Sequence, residues 1–137
     1  MEVKQLLGLD VGQKRIGVAR ASSAARLAEP LITINTADAW DKLQQIIKEQ
    51  ETETIVVGLP RNLQGDDTAQ TTWVHEWVGK AKKQIKLPFY WQDEALTSHI
   101  AEVEREAHKT NHDVDALAAA IILQDFMDTP EAQRMPC

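Results

Sequence analysis

Three acidic residues stand at points of the sequence where they could do chemistry. Asp10 follows the apolar run "LLGL", Glu94 ends the segment "PFYWQDE", and Asp115 lies at the start of the very apolar segment "VDALAAAIIL". In open α/β sheets, binding sites form at the carboxyl ends of the strands. Three carboxylates that meet there would repel one another, and a divalent cation relieves such repulsion. Oxygen ligands suit Mg²⁺ or Mn²⁺, so the pattern favours a metal site.

Each of these acids also has a purely structural interpretation. Asp10 is followed by Gly12 and could belong to an ordinary turn. A carboxylate in the first turn of a helix, as Asp115 would be, gains about 0.3–1 kcal/mol from the helix dipole. Glu94 could likewise stand at a helix start. Spacing alone leaves the structural and the metal-binding interpretations open.

Two further acids neighbour the candidate site. Asp93 precedes Glu94, and because side chains alternate along a strand, only one of this pair should point into a given site. Asp113 is a good candidate for the N-cap of the helix that carries Asp115. Asp93 and Asp113 are kept as secondary candidates for metal ligands, after Asp10, Glu94 and Asp115. Gly8, on the strand face of Asp10, leaves room for another element to approach the sheet.

The hydrophobic pattern predicts the elements that would position these residues. Strands are predicted where apolar residues alternate or run continuously, and helices where they recur every three to four residues. The resulting order, β-β-β-α-β-α-β-α-α, is typical of an α/β fold with a mixed sheet. Its first strand should lie centrally. The predicted strands cover residues 3–11, 15–21, 30–34, 54–59 and 88–94, and the predicted helices cover residues 37–50, 68–85, 95–108 and 113–127.

The composition narrows the class of protein. The chain has 137 residues, 43% of them hydrophobic, and a formal net charge of −6. These values fit one compact domain and argue against binding nucleic acid through bulk positive charge. The single cysteine, Cys137, cannot form a disulfide within the chain, and the sequence contains neither signal-peptide features nor an apolar run long enough for a bilayer. We expect a cytoplasmic protein without membrane association.

Four motifs, in order, resemble those of the YqgF (RuvX) family. They are "LDVGQKRIGVA", "IVVGLPRNLQGDDT", "QDEALTSHIAE" and "VDALAAAIIL", which together span residues 6–123. The family is ribonuclease H-like and similar to Holliday junction resolvases. The resemblance implies a five-stranded mixed sheet of order 3-2-1-4-5 with strand 2 antiparallel. The chain length predicts a single domain over residues 1–128, and the tail over residues 129–137, which contains two prolines, is expected to be flexible.

The resemblance further implies an activity and a catalytic site. The family's role is processing of the 5′ end of the precursor of 16S ribosomal RNA, and its acidic positions fall on Asp10, Glu94 and Asp115. With Mg²⁺ or Mn²⁺ as cofactor, Asp10 would bridge two ions that activate water for phosphodiester hydrolysis. The expected partners are pre-16S rRNA and ribosomal particles rather than DNA. The expected oligomeric state is a monomer or a weak homodimer.

Polar residues near the predicted site could bind the substrate. Lys14, Arg15 and Arg61 fall in loops at its mouth, where they would neutralise phosphates or would simply be solvated turn residues. Asn62 follows Arg61 in the same loop. We assign these four residues as candidate substrate-binding residues.

The chain departs from the family pattern at three places. Gln13 stands where the family usually has Thr or Ser, Ala95 where it usually has Arg or Lys, and Asp113 where it usually has a basic residue. These changes remove positive charge from the expected RNA path. Two alternatives therefore stay open, a non-catalytic RNA- or ribosome-associated binding module on the same fold and a branched-DNA nuclease that cuts Holliday junctions. A third possibility is a phosphate-binding fold of the actin-kinase type, because "DVGQKRIGVA" is also similar to a phosphate-binding loop. That architecture needs two such domains, and this chain is too short for two unless it pairs.

Overall fold

A computed structural model describes residues 3–62, 64–95 and 113–137 of the chain. The described residues form an α/β fold around one mixed sheet in the order β3-β2-β1-β4-β5-β6. The predicted order 3-2-1-4-5 and the central place of β1 are confirmed, but the predicted count of five strands was wrong because a sixth pairs with β5. The strands are β1 (Gln5–Val11), β2 (Arg15–Ser22), β3 (Glu29–Asn35), β4 (Thr54–Arg61), β5 (Phe89–Ala95) and β6 (Met135–Pro136).

The sixth strand has only two residues. Met135 lies opposite Trp91 and Pro136 opposite Tyr90, antiparallel to β5. The backbone N–H of Cys137 extends this pairing by donating to the carbonyl oxygen of Phe89 at 2.9 Å. Two residues are too few to show a hydrophobic period, so the sequence pattern gave no signal for this strand.

The strand directions bring the predicted site residues to one edge of the sheet. β1 and β2 form an antiparallel hairpin in which Asp10 lies opposite Gly17. The turn is closed by the N–H of Gly12, which donates to the carbonyl oxygen of Arg15 at 2.9 Å. β4 runs parallel to both β1 and β5. The carboxyl ends of β1, β4 and β5 therefore meet at the same edge.

Three described helices cover the two faces of the sheet: α1 (Ala39–Gln50), α2 (Ala69–Gln84) and α3 (Val114–Asp128). They confirm three of the predicted helices, whereas the one predicted over residues 95–108 lies outside the described residues except for Ala95, which ends β5. α1 and α2 pack with Leu7 and Leu9 of β1 in one apolar core, and α3 packs with Leu6 in the other. None of the helices in the described ranges is long and apolar enough to cross a membrane.

Glycines in three strands let α3 lie unusually close to the sheet. A Cβ added to Gly8 would lie 2.7 Å from the Cβ of Leu123, and one added to Gly58 would lie 2.5 Å from Cδ1 of Ile122. A Cβ added to Gly17 would overlap the backbone carbonyl of Asp115. The close approach of another element to the sheet, predicted from Gly8, is therefore confirmed. It sets the distance between the sheet and α3, the helix that carries Asp115.

We predict that Gly17→Ala lowers the free energy of unfolding by about 1–3 kcal/mol or more, the usual effect of overpacking, because the new methyl group meets rigid backbone. Gly79→Ala is the matched control, since Gly79 lies within α2 and an added Cβ has nothing within 4 Å. This change should stabilise the protein by about 0.5–1 kcal/mol through helix propensity. Urea unfolding of both variants measures the two effects. Equal effects would contradict the close approach of α3 at Gly17.

Candidate active site

Asp10 lies near the end of β1, on the sheet face that α3 covers. Along β1, Leu6 and Gly8 share this face, and both residues lie against α3. The pKa of Asp10 is raised from 3.8 to about 6, mainly by burial and secondly by the nearby charge of Asp115. Asp10 and Asp115 are thus brought together as the sequence predicted.

Asp115 is fixed by contacts on both sides. The carboxylate of Asp113 accepts a hydrogen bond from the backbone N–H of Asp115 at 3.0 Å, which confirms Asp113 as the N-cap of α3. The carboxylate of Asp115 accepts a hydrogen bond from Nε of Arg15, also at 3.0 Å. Arg15 is therefore engaged by an acid of the candidate site.

Glu94 lies near the end of β5 on the same sheet face. Alternation along β5 places it with Tyr90, whose ring contacts Phe126 of α3. The pKa of Glu94 is raised to about 8. Burial is the largest cause, a hydrogen bond to the side chain of Asp125 is the second, and the charges of Asp125, Asp10 and Asp93 add to the shift. A hydrogen bond between two carboxyl groups requires a proton on one of them. The raised pKa of Glu94 indicates that Glu94 supplies the proton of its hydrogen bond with Asp125.

Asp125 is a candidate site residue that the sequence analysis missed. It lies on α3, ten residues after Asp115, which is about 2.8 turns of 3.6 residues. At about 100° per residue the two acids lie about 80° apart around the helix axis, so a helical count would have placed them on the same half of the helix. The pattern could not show that Asp125 meets Glu94, because this depends on the direction in which α3 crosses the sheet.

The cations at the other predicted positions have different surroundings. Arg61 lies on the opposite sheet face, where its Nε donates to Asp93 at 3.0 Å and one of its terminal nitrogens is 3.3 Å from Asp67. The side-chain oxygen of Asn62 accepts hydrogen bonds from the backbone N–H groups of Gln64 and Asp66. These contacts order the loop after β4. Lys14 is exposed in the turn between β1 and β2.

The acids have the donor chemistry that a hard divalent cation requires. Carboxylate oxygens are the preferred ligands of Mg²⁺ and Mn²⁺. Burial first, and repulsion between the acids second, raise the pKa values of Asp10 and Glu94, and a cation would relieve this repulsion. Within residues 3–62, 64–95 and 113–137, no three Asp, Glu, His or Cys side chains are grouped closely enough to hold an ion as they stand. Asp115 instead contacts Arg15 and Glu94 contacts Asp125. The ligands fit in type, and their present partners are protein groups.

The motifs, the fold and the positions of the acids agree with one protein family. The family model RuvX, described as Holliday junction resolvase, matches residues 4–129. The chain belongs to the RuvX family. This confirms the resemblance on which the fold was predicted, and the match covers all of the described elements except the short β6.

Relatives of similar length share about a third of their residues with this member of the family. A protein of Roseiflexus sp. (strain RS-1) is 35% identical, with 93% of this chain and 96% of the relative covered. One of Gloeothece citriformis is 37% identical, with 94% and 91% covered, and one of Fusobacterium nucleatum is 36% identical, with 92% and 98% covered. All three carry the name "Putative pre-16S rRNA nuclease".

Solved structures show the same fold at low sequence identity. RuvC of T. thermophilus in complex with a Holliday junction substrate has a TM-score of 0.59 and 13% identity, with 98% of this chain and 99% of that chain covered. A second structure, of Thermus thermophilus RuvC, has a TM-score of 0.57 and 15% identity, with 97% and 99% covered. The ribonuclease H-like architecture predicted from the sequence is thereby confirmed.

The raised pKa of Asp10 predicts a cost to stability at neutral pH. Between pH 3.8 and about 6 the folded protein keeps a proton that the unfolded chain has lost, so its stability falls as the pH rises through this range. The difference corresponds to about 3 kcal/mol at most. Asp10→Asn removes the charge. At pH 7.5 we expect the free energy of unfolding of this variant to be higher than that of the wild type by about 1–3 kcal/mol. At about pH 4 the two free energies should be equal.

Urea unfolding at both pH values measures this difference. Asp41→Asn is the control, because Asp41 is an exposed acid in the first turn of α1. It should lower the stability slightly through the helix dipole. A loss of stability in Asp10→Asn at pH 7.5 would show that the Asp10 carboxylate is not strained in the folded protein.

Proposed function

We propose that this RuvX protein is a divalent-metal-dependent nuclease that processes the 5′ end of pre-16S rRNA. The observation that carries the proposal is that Asp10 and Glu94 lie on one sheet face near the carboxyl ends of β1 and β5, and that the first turn of α3 brings Asp115 beside Asp10 on that face. The names of the relatives, which span nearly the whole chain, support RNA as the substrate. The fold and the family support phosphodiester cleavage as the reaction.

In this proposal the acids hold Mg²⁺ or Mn²⁺ and orient the reacting groups. Asp10 is the central ligand, because it lies within the charge field of both Asp115 and Glu94. A bound divalent ion supplies Lewis acidity for an attacking water and for the leaving oxygen. The low-dielectric surroundings that raise the pKa of Asp10 strengthen its attraction to a cation. Asp113 holds the first turn of α3, and with it Asp115, in position.

The charges near the site favour one alternative function. Arg15 and Arg61, which would bind phosphates, are both paired with carboxylates, and the net charge of the chain is −6. Cations that are already paired with carboxylates contribute little to phosphate binding, so RNA binding through these two residues is weak without help from a partner. A non-catalytic module that associates with RNA or with ribosomal particles is therefore the second candidate.

Metal binding is tested by calorimetry with Mn²⁺. We expect the wild type to bind and Asp10→Asn to lose at least about 10-fold in affinity, because a buried carboxylate is removed from the ligand set. Asp41→Asn should bind as the wild type does, since Asp41 is an exposed residue of α1. Loss of binding in both variants, or in neither, would contradict the assignment of Asp10.

Nuclease activity is tested on a structured fragment of pre-16S rRNA with Mg²⁺ or Mn²⁺. We expect cleavage near the mature 5′ end by the wild type and by Asp41→Asn. The variants Asp10→Asn, Glu94→Gln and Asp115→Asn should each be at least about 100-fold slower, because each removes a ligand charge from the reacting centre.

The same assay separates the alternatives. RNA binding without cleavage by the wild type would favour the non-catalytic module. Faster cleavage of a four-way DNA junction than of the RNA would favour a branched-DNA nuclease. Wild-type cleavage that persists in Asp10→Asn would place the reaction elsewhere in the molecule.

A further inference from the structure

Arg15 connects the β1–β2 hairpin to α3 across one hundred positions of the chain. Its Nε lies 3.0 Å from Oδ2 of Asp115. Arg15 is the first residue of β2, and alternation along β2 places it on the same sheet face as Gly17, which lies against the backbone of Asp115. The contact is therefore set by the strand register and by the close approach of the helix.

The pair lies at the rim of the site. The side chain of Arg15 is 64% exposed and that of Asp115 is 28% exposed. Exposed ion pairs of this kind are weak, because water and salt screen them. A ligand with a higher charge density could displace the guanidinium at little cost.

The surroundings of Asp115 explain why a cation lies there. Its acidic neighbours are Asp10, whose pKa its charge raises, and Asp113, which caps the helix. Arg15 supplies the positive charge that offsets this local excess of carboxylates. A divalent cation at Asp10 and Asp115 would supply the same compensation to the same carboxylate.

We propose that Arg15 is a resident counter-cation of Asp115 and that a divalent metal ion displaces it when the ion binds. The inference rests on the metal site of the proposed function and adds a positioning residue to it. Before metal binds, Arg15 offsets the repulsion between Asp115 and Asp10 and holds the Asp115 carboxylate at the rim. Metal affinity therefore includes the cost of breaking this ion pair.

Lys14 provides a matched control. It carries the same charge one residue earlier in the same turn and is exposed, and no ion pair to it is present in the part of the chain that the structure describes. Lys14→Gln and Arg15→Gln therefore change the net charge equally. Any effect that goes beyond general electrostatics appears only in Arg15→Gln.

The test is calorimetric titration of the full chain with Mn²⁺ alone, in the absence of RNA. Arg15→Gln should bind Mn²⁺ about two- to fivefold more tightly than Lys14→Gln, the range expected for the loss of one competing exposed ion pair. Equal affinities of the two variants would overturn the proposal, because the effect would then be one of net charge. Weaker binding by Arg15→Gln would overturn it as well, because Arg15 would then help to form the site.

A second measurement follows the wild type directly. In protein labelled with ¹⁵N-arginine, the Nε–H signal of Arg15 should shift as Mg²⁺ is added, with the midpoint of metal binding, and should not follow Mg²⁺ in Asp115→Asn. A signal unchanged at saturating Mg²⁺ would show that the ion pair survives, which overturns displacement. If instead wild-type titrations show no divalent binding at all, the metal site of the proposed function fails, and the displacement proposal fails with it.

Discussion

The close packing of α3 on the sheet is the constraint on which the candidate site depends. Gly8, Gly17 and Gly58 carry no side chains that would hold the helix away from β1, β2 and β4. The first turn of α3 therefore comes down beside Asp10, and its later turns reach Glu94. The contact that buries the apolar residues of the helix is also the one that crowds carboxylates at the sheet edge. Core packing and the charge distribution of the site thus have the same cause.

This crowding is electrostatically unfavourable, and the protein offsets it in two chemically different ways. Burial and neighbouring charges raise the pKa of Asp10 to about 6 and that of Glu94 to about 8. With its raised pKa, Glu94 is largely protonated at neutral pH and therefore adds little negative charge beside Asp125. The carboxylate of Asp115 is compensated by the guanidinium of Arg15. Such clusters of acids with perturbed pKa values are more common at functional sites than elsewhere, because a fold optimised only for stability would avoid them.

Local patterns predicted most of the fold and singled out Asp10, Glu94 and Asp115, whose role as metal ligands stays a prediction. Alternation along β5 separated Asp93 from Glu94, and the structure places them on opposite faces of the sheet. The sequence pattern assigned Arg61 to a loop because Pro60 was taken as the end of β4, whereas the strand continues to Arg61. This extension carries Arg61 to the face opposite the acids. Asp125 was missed because its contact with Glu94 depends on the crossing direction of α3, which no local period encodes.

The departure from the family pattern at Asp113 acquires a physical interpretation from these contacts. A basic residue there would add positive charge next to Asp115, whereas Asp113 caps α3 and accepts a hydrogen bond from the N–H of Asp115. With Asp113, the first turn of α3 is firmly held and carries one more negative charge. Among the described residues, Arg61 is bound to acids on the other face, whereas Arg15 of the β1–β2 hairpin brings a positive charge to Asp115 beside Asp10. Attraction of a polyanion to this site consequently depends on whether the carboxylates are first neutralised by a cation.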